Sequence, residues 1–367
     1  MTESAHTPDE FWMAQALKLA EKGRCTTTPN PNVGCVIVKD GKKISEGWHQ
    51  KAGTPHAEVH ALAMAGAGAE GATAYVTLEP CSHYGRTPPC AQALINAGIA
   101  SVVCAMKDPN PLVAGKGLSM LEAVGIQTRS GVLQTQAEQL NAGFLKRMRT
   151  GLPWVTVKMA SSLDGGTALA NGASQWITGP QARRDVQHGR AESCAIVTGI
   201  GSVLADDPSM NVRLPGTARQ PLRLVLDSHL RTPVNAKLIE NPGRTLLLHC
   251  SDAPQAKKMA LTEAGFECVE MVTGENGSID LSAFLNWCGE AQLNRLWVEA
   301  GAHLAGSFAR QGLVDEFILY QAAKFLGSGT SQILSMELQS LDQALDLTVE
   351  DVRFVFLFAF QKLQVHP

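Results

Sequence analysis

The sequence predicts an α/β protein of two domains, and three observations support this class. The chain has 367 residues, and at about 150 residues per domain two domains are the simplest division. Short β-rich runs alternate with helical patterns in the first half, as in a sheet covered by helices. A second series of the same kind begins after the basic segment 146–149, Gly151 and Pro153. We therefore expect domains at 1–150 and 151–367.

The first domain opens with a predicted helix at 9–22, where apolar side chains such as Trp12 and Leu19 recur at helical spacing and Gly23 ends the run. The runs that follow predict three strands and three helices. The strands are expected at 33–38, 73–78 and 101–105, and the helices at 57–66, 89–97 and 115–124. From Gln134 a polar-faced helix continues into the basic segment.

The second domain begins with a strand, since Val155, Val157 and Met159 alternate with Thr156 and Lys158 along the chain. Further β-rich runs predict strands at 195–199, 222–227, 244–249, 295–299, 316–320 and 352–360. Helical patterns lie between several of these runs, which again favours a sheet with helices packed on it.

Composition and charge exclude several classes of function. Hydrophobic residues make up 45% and charged residues 18%, as in an ordinary globular chain. The net charge is −3 without a block of like charges, so we expect no nucleic-acid partner. The apolar run 354–360 is far shorter than the roughly 18–20 residues of a membrane span, and the first ten residues lack a secretory profile, so we expect a cytoplasmic protein without a membrane partner. Nine irregularly spaced cysteines argue against a disulfide framework.

Two predicted helix starts each carry a metal-ligand side chain. Thr54 is the expected N-cap of one helix, with a proline at the first helical position and His56 just inside. The segment 87–90 repeats this design and brings Cys90 into a first turn, where the helix dipole favours the thiolate that binds zinc. Cys81 follows a predicted strand and is expected to meet both helices.

One imidazole and two thiolates would leave one position of a tetrahedral zinc ion open for water, which is typical of a catalytic site. Zinc lowers the pKa of that water to about 7, and Glu58 could then carry a proton to a leaving nitrogen. The expected activity is hydrolytic deamination. Any one of these residues alone would more often be an ordinary core or surface residue. A structural zinc site would require a fourth protein ligand, for which His60 and His83 are the nearby candidates.

The first half agrees in part with the zinc nucleobase-deaminase signature H-x-E with P-C-x-x-C. His56 and Glu58 match it, but eight residues instead of two separate Cys81 from Cys90. The wider spacing belongs to the bacterial family of bifunctional riboflavin-biosynthesis deaminase/reductases, which the first half closely resembles. The motifs that carry this resemblance are PNPNVG at 29–34, HAEVHA at 56–61, TLEPCSHYGRTPPC at 77–90 and DPNP at 108–111.

Polar residues near predicted strand ends mark a second candidate site. They are Lys158, Arg190, Asp206, Asp207, Arg213 and Glu299. Burying such groups without a partner is costly, so they indicate a cleft, although a solvated strand end explains any single one about equally well. Glycine-rich turns at 197–201 and 298–307 could approach a phosphate, but each alone is more often a plain turn.

The second half resembles the reductase part of the same family at 158–165, 174–178, 201–208 and 298–301. The resemblance thus covers nearly the whole chain. It implies an N-terminal cytidine-deaminase-like three-layer α/β/α domain and a C-terminal dihydrofolate-reductase-like α/β domain. It also implies deamination of 2,5-diamino-6-ribosylamino-4(3H)-pyrimidinone 5′-phosphate, followed by NADPH reduction of the ribosyl side chain to give 5-amino-6-ribitylamino-2,4-pyrimidinedione 5′-phosphate.

The resemblance further implies roles for individual residues. NADPH contacts are expected at Ala160, Trp176, Ser202, Asp206, Ser228, Gly301, Ala302, His303, Leu304, Ala305, Gly306 and Ser307. Reductase substrate contacts are expected at Ser174, Arg190, Met210, Arg213 and Glu299, and deaminase substrate contacts at Asn30, His49 and the 82–87 loop. Lys158 and Glu299 are both candidates for handling the proton of the reduction, and the sequence leaves this choice open.

Two other interpretations were weighed against this one. A deaminase of tRNA or a free nucleoside with an inert second half is disfavoured by the near-neutral charge and by the Arg190 and Arg213 pair. The second alternative is a non-enzymatic binding module held together by zinc. In such a module, changing Glu58 to Gln would leave ammonia release unaltered, whereas a catalytic Glu58 predicts that ammonia release is lost while zinc is retained. We also expect a dimer or tetramer, formed through the second domain.

Overall fold

The structure is a computed structural model, and it divides the chain into two units, each with its own sheet and core. The units are Met1–Gly151 and Leu152–Pro367. The residues that the structure describes are 7–82, 88–110, 114–355 and 358–365. Within these ranges, no helix combines the length and the apolar character needed to cross a bilayer.

The first unit contains five strands and six helices among its described residues. The strands are β1 (Gly34–Lys39), β2 (Lys42–Trp48), β3 (Thr73–Val76), β4 (Ser101–Cys104) and β5 (Gln127–Ser130). The helices are α1 (Pro8–Glu21), α2 (Ala57–Ala65), α3 (Cys90–Asn96), α4 (Lys116–Glu122), α5 (Gln134–Leu140) and α6 (Ala142–Thr150). The sheet order is β2-β1-β3-β4-β5, with β1 antiparallel to both of its neighbours and the remaining pairs parallel.

Apolar residues on both faces of this sheet make it the middle of three layers. Helices α2, α3 and α4 cover one face, where Ala61, Leu94 and Leu121 are buried. Helices α1, α5 and α6 cover the other face and bury Met13 and Phe144. The three-layer α/β/α arrangement expected for the first domain is therefore confirmed.

The first unit differs from the sequence prediction at two edge strands and one helix. Strands β2 and β5 were not predicted, because each has three exposed residues and they carry little apolar alternation. The single helix expected from Gln134 is two helices that break at Asn141. At the break, the Asn141 carboxamide accepts from the N–H of Asn32 (2.7 Å) and donates to its carbonyl (3.0 Å).

The start of α2 also differs from the prediction. His56 is the N-cap residue and the helix begins one residue later, so the assignment of Thr54 as the cap is wrong. The Thr54 hydroxyl instead donates to the carbonyl of Lys51 (2.7 Å) and closes the preceding turn. Cys90 is the first residue of α3 and lies in the first turn as predicted, while Thr87 lies outside the described residues.

The second unit is built on a nine-stranded sheet. Its strands are β6 (Trp154–Ser162), β7 (Ala195–Gly199), β8 (Leu222–Leu226), β9 (Thr245–His249), β10 (Glu267–Glu270), β11 (Arg295–Val298), β12 (Glu316–Ala322), β13 (Leu347–Val355) and β14 (Phe358–Val365). The helices are α7 (Pro180–Glu192), α8 (Ile200–Asp206), α9 (Lys237–Glu240), α10 (Gln255–Glu263), α11 (Leu281–Glu290) and α12 (Ala302–Arg310). The order is β10-β9-β8-β7-β11-β6-β12-β14-β13, parallel up to β12 and antiparallel beyond it.

Both faces of this sheet are covered. Helices α11 and α12 bury Phe284 and Phe308 on one face, and α7 to α10 bury Val186, Leu238 and Leu261 on the other. Because β7, β11 and β6 are parallel neighbours at the centre, their carboxyl ends meet at one edge of the sheet, which is where α/β proteins bind ligands.

The C-terminal strands differ from the prediction. The run 352–360 does not form one strand, because residues up to Val355 belong to β13 and residues from 358 belong to the antiparallel strand β14. This run contains neither glycine nor proline, so its sequence carries no turn signal. Strand β10 was also not predicted, since its residues are exposed or half-buried at the opposite edge of the sheet.

Candidate active sites

Three loop and helix-start positions of the first unit converge on one point. His56 precedes α2, Cys90 begins α3, and Cys81 lies in the segment that follows β3. His56 Nδ1 is 3.3 Å from Cys90 Sγ and 3.7 Å from Cys81 Sγ. In the described part of the chain, these are the residues whose metal-ligand atoms group within 4.8 Å of one another.

This donor set fits zinc. A nitrogen and a sulfur that bind one tetrahedral zinc ion lie about 3.6 Å apart, which agrees with the two observed distances. Hydrogen bonds from the Cys90 thiol, from His56 and from the Cys90 backbone N–H lower the pKa of Cys81. The hydrogen bond to Cys81 and burial raise the pKa of Cys90, and a bound cation would favour its thiolate.

Glu58 lies beside these ligands without belonging to the group. It is buried near the start of α2, close enough to His56 and to both thiols for their charges to interact with its carboxylate. Burial raises the pKa of Glu58 to about 6, although the nearby His56 opposes the rise. A carboxyl group in this state can exchange a proton near neutral pH. Of the two alternative ligands, His60 is not part of the group, and His83 lies outside the described residues.

The two deaminase substrate residues named from the sequence, Asn30 and His49, contact each other. His49 Nδ1 is 3.1 Å from the carbonyl of Pro55, and since a carbonyl only accepts, Nδ1 carries the proton. His49 Nε2 then accepts from Asn30 Nδ2 at 3.0 Å. Burial lowers the pKa of His49, and its ring lies 5.4 Å from that of His56. Of the 82–87 loop, only Ser82 lies within the described residues.

In the second unit, Arg190 and Glu299 form a two-bond ion pair. Arg190 Nε donates to Glu299 Oε1 (2.5 Å) and Nη2 donates to Oε2 (2.8 Å). The indole N–H of Trp297 donates to the same carboxylate at 2.8 Å. Burial alone would raise the pKa of Glu299, but Arg190, Lys158 and Trp297 hold it at about 2. Glu299 is therefore ionised at neutral pH.

Lys158 is the other candidate for handling the proton. It lies on β6, close enough to Glu299 and Arg190 to interact with both charges. Burial lowers the pKa of Lys158, and the carboxylate of Glu299 opposes this effect in part. Lys158 therefore lies near a carboxylate that is ionised at neutral pH. Its ammonium group loses a proton more readily than that of an exposed lysine.

Asn211 connects the two arginines that the sequence singled out. Its carbonyl accepts from Arg190 Nη1 (3.0 Å), and its Oδ1 accepts from Arg213 Nη1 (2.7 Å). Arg213 is exposed, and no ion pair among the described residues includes it. Met210, in contrast, is buried in the core of this unit. Asn211 and Trp297 were not predicted from the sequence, although alternation along β11 would place Trp297 on the same side as Glu299.

The residues named for NADPH lie on and around the carboxyl edge of the sheet. Ala160 is on β6, Ser202 and Asp206 are on α8, and Ser228 follows β8. Trp176 is 62% exposed, and the guanidinium of Arg183 lies 4.1 Å from its ring centre. Ser174 is half-buried in the same segment as Trp176.

The residues 301–307 do not form the loop that the sequence predicted. Gly301 is the N-cap of α12, and 302–307 are helical. At Gly306 a β-carbon would lie 2.3 Å from the carbonyl oxygen of Ser335, so this glycine permits close packing of the helix. Gly199 likewise caps α8, so both glycine-rich turns are starts of helices after neighbouring parallel strands.

Comparison with known proteins agrees with this arrangement. A model described as the cytidine and deoxycytidylate deaminase zinc-binding region matches residues 6–106, and one described as the RibD C-terminal domain matches residues 153–354. The riboflavin biosynthesis protein RibD of Escherichia coli is 50% identical over 361 residues, which cover 95% of this chain and 96% of that protein. RibD of Haemophilus influenzae is 51% identical over 331 residues, with 87% of each chain covered.

Solved structures agree as well. Acinetobacter baumannii RibD superposes with a TM-score of 0.91 at 45% identity, covering 98% of this chain and 99% of that chain. The diaminohydroxyphosphoribosylaminopyrimidine deaminase/5-amino-6-(5-phosphoribosylamino)uracil reductase of Thermotoga maritima superposes with a TM-score of 0.87 at 30% identity and the same coverage.

Fold and family models together define a bifunctional enzyme in which a zinc-binding deaminase domain is joined to an NADPH-dependent reductase domain. Its substrates are small molecules. The chain belongs to the RibD family of riboflavin biosynthesis proteins. The family, the two fold types and the two cofactors expected from the sequence are thereby confirmed.

Proposed function

We propose that this chain catalyses two successive steps of riboflavin biosynthesis. The first is hydrolytic deamination of 2,5-diamino-6-ribosylamino-4(3H)-pyrimidinone 5′-phosphate. The second is NADPH reduction of the ribosyl side chain to give 5-amino-6-ribitylamino-2,4-pyrimidinedione 5′-phosphate. The convergence of His56, Cys81 and Cys90 beside the buried Glu58 carries the proposal. The Thermotoga maritima relative bears the names of both activities.

In the deaminase step, His56 Nδ1 and the thiolates of Cys81 and Cys90 would hold zinc, which supplies the Lewis acidity that makes water nucleophilic at neutral pH. Glu58 takes a proton from the attacking water and delivers it to the adjacent ring nitrogen, and the remaining hydroxyl proton then passes to the amino nitrogen, which leaves as ammonia while the ring carbon becomes a carbonyl. Its raised pKa of about 6 suits both transfers. Asn30, oriented by His49, contacts the pyrimidine ring.

In the reductase step, Lys158 donates the proton while Glu299 acts as a fixed anion. NADPH supplies a hydride to C1′ of the opened ribosyl group. Burial lowers the pKa of Lys158 and makes its ammonium a stronger acid than that of an exposed lysine. A carboxyl group with a pKa of about 2 has no proton to give at neutral pH, which disfavours Glu299 in this role.

Arg190 and Arg213 bind the substrate phosphate in this proposal. Glu299 compensates the charge of Arg190, whereas Arg213 presents its guanidinium without an ion-pair partner among the described residues. A guanidinium can donate two parallel hydrogen bonds to a phosphate. The further substrate contacts are assigned to Ser174, to the Met210 backbone and to Glu299. The NADPH contacts are assigned to Ala160, Trp176, Ser202, Asp206, Ser228 and residues 301–307.

The protein is assigned to the cytoplasm, as a dimer or tetramer. Strand β13 lies at the edge of the second sheet and exposes Val349, Val352 and Phe354, which supports association of this unit with another copy. Light scattering coupled to size-exclusion chromatography measures the assembly, and a monomer at micromolar concentration would contradict the assignment.

Product analysis of the zinc-loaded chain tests the proposal. With the diaminopyrimidinone substrate and no NADPH, we expect one ammonia per substrate and a product that retains its ribosyl group. Adding NADPH should then give the ribityl product with one NADPH oxidised per molecule. Absence of ammonia release would exclude the deaminase step, and absence of NADPH oxidation with the deaminated intermediate would exclude the reductase step.

A further inference from the structure

Glu79 is a buried carboxylate two residues before the zinc ligand Cys81. Its oxygens accept three backbone hydrogen bonds, one from Asp108 and two from residues at the start of α4. Oε2 accepts from the N–H groups of Asp108 (3.1 Å) and Gly115 (2.9 Å), and Oε1 accepts from that of Gly117 (2.9 Å). These charge-assisted bonds offset the cost of burying the carboxylate.

The start of α4 also contacts Pro80, the residue between Glu79 and Cys81. At Gly117, a β-carbon would lie 2.0 Å from the carbonyl oxygen of Pro80 and 3.2 Å from Glu79 Oε1. The backbone of the α4 start is thus in direct contact with the chain that enters the zinc ligand, and only glycine allows this approach.

On its other side, Cys81 is held by the start of α3. Its carbonyl accepts from the N–H of Ala91 (3.1 Å), and its Sγ accepts from the N–H of Cys90 (3.3 Å). Cys81 itself belongs to neither a helix nor a strand. Its position therefore depends on the two helix starts that enclose it, and Glu79 is the side chain that attaches one of them.

We propose that Glu79 is a positioning residue for the zinc centre: by holding the backbone N–H groups of Asp108, Gly115 and Gly117 next to Pro80, it sets the place of Cys81 Sγ relative to His56 and Cys90. This inference rests on the zinc site of the proposed function. Groups that orient metal ligands typically change metal affinity about 10–100-fold when they are altered, and an effect of this size is expected here.

The full-length E79Q variant tests the proposal. Glutamine keeps the size of the side chain, but its NH₂ group must face at least one N–H donor, so the N–H groups of Asp108, Gly115 and Gly117 are no longer all bound. We expect zinc affinity, measured by competition with a chelator, to fall about 10–100-fold. In the cobalt(II)-substituted protein, the thiolate-to-metal charge-transfer band should shift or weaken. NADPH oxidation with the deaminated intermediate should be unchanged.

Glu70→Gln is the matched control, because Glu70 is an exposed carboxylate of the same unit. It should retain wild-type zinc affinity and the wild-type cobalt spectrum. If E79Q matches this control in both measurements, the positioning role is wrong, even if E79Q melts at a lower temperature.

Glu79→Asp is a second variant in case E79Q does not fold. Aspartate keeps the charge but is one methylene shorter. We expect its zinc affinity to lie between that of the wild type and that of a chain lacking Cys81. Wild-type zinc affinity in this variant would overturn the proposal. Failure of the zinc site itself looks different, since the wild-type chain would then bind no zinc at all.

Discussion

Arg190 and Glu299 are joined by two parallel hydrogen bonds in a nearly buried setting, with side chains that are 10% and 16% exposed. The two residues are 109 positions apart in the chain and join α7 to the carboxyl end of β11. The pair therefore links a helix to the edge of the sheet where the reductase residues meet.

Removing one partner of this pair should destabilise the second unit. For Arg190→Ala, we expect the free energy of unfolding to fall by about 3–5 kcal/mol, because Glu299 is left buried without its counter-charge. The control is Arg244→Ala, which breaks an equally bidentate pair with Glu267 whose side chains are 70% and 47% exposed, and there the loss should be at most about 1 kcal/mol. Urea unfolding followed by tryptophan fluorescence measures both. Equal losses in the two variants would contradict the expected effect of burial.

Glu58→Gln should abolish deamination without removing the metal. Glutamine cannot carry the proton from water to the leaving nitrogen, so ammonia release should fall by at least about 10²–10⁴-fold. Metal analysis should still find one zinc per chain, and NADPH oxidation with the deaminated intermediate should proceed at the wild-type rate. Unaltered ammonia release would mean that Glu58 has a structural role only.

Lys158→Arg should alter the pH dependence of the reductase. In the wild type, kcat should fall as the pH rises through the pKa of Lys158, which burial lowers from its ordinary value of about 10.4. Arginine stays charged and is a poor proton donor, so the variant should be slower by about 10²–10⁴-fold and should lack this alkaline limb. The same alkaline limb in both proteins would assign the proton to another group.

The lowered pKa of Lys158 also predicts a trend in stability. At pH values between the pKa of Lys158 in the folded protein and about 10.4, Lys158 is protonated to a greater extent in the unfolded chain than in the folded protein. Its contribution therefore makes the free energy of unfolding rise with pH in this range. Lys158→Met, which does not titrate, should lack this contribution. Unfolding of the two proteins at several alkaline pH values measures the difference, and parallel curves would speak against a shifted lysine.

Chelation should separate the two activities. A strong chelator should stop ammonia release and leave NADPH oxidation with the deaminated intermediate intact, because the zinc donors lie within the first unit. Adding zinc back should restore ammonia release. Loss of both activities on chelation would require a metal in the reductase as well.

The sequence predicted most of the fold because buried strands and amphipathic helices carry a local periodic signal. It predicted the ligand group because His56, Cys81 and Cys90 are chemically distinctive and all three lie in recognisable motifs. The edge strands β2 and β5 escaped because exposed strands need no apolar alternation. The boundary between β13 and β14 was not predicted because the run 352–360 contains neither glycine nor proline.

The supporting polar residues could not be predicted in the same way. Glu79 accepts from backbone N–H groups up to 38 residues away in the chain, and Asn211 accepts from the Arg190 side chain through its own backbone carbonyl. Every residue has a backbone carbonyl and every residue except proline has an N–H, so these contacts leave no mark in the sequence. Burial and charged neighbours, which only the structure provides, also distinguish Glu299, which is ionised at neutral pH, from Lys158, the proposed proton donor.

The pairing of the Asn141 carboxamide with the backbone of Asn32 has a consequence for how the gene can be divided. The backbone of Asn32, two residues after Asn30, is bonded by the Asn141 side chain, which is translated more than a hundred codons later. A nascent first unit therefore lacks these two hydrogen bonds until Asn141 has left the ribosome. A stand-alone deaminase fragment that keeps these bonds must therefore extend past Asn141, and one that stops after β5 retains His56, Cys81 and Cys90 but lacks both bonds to Asn32.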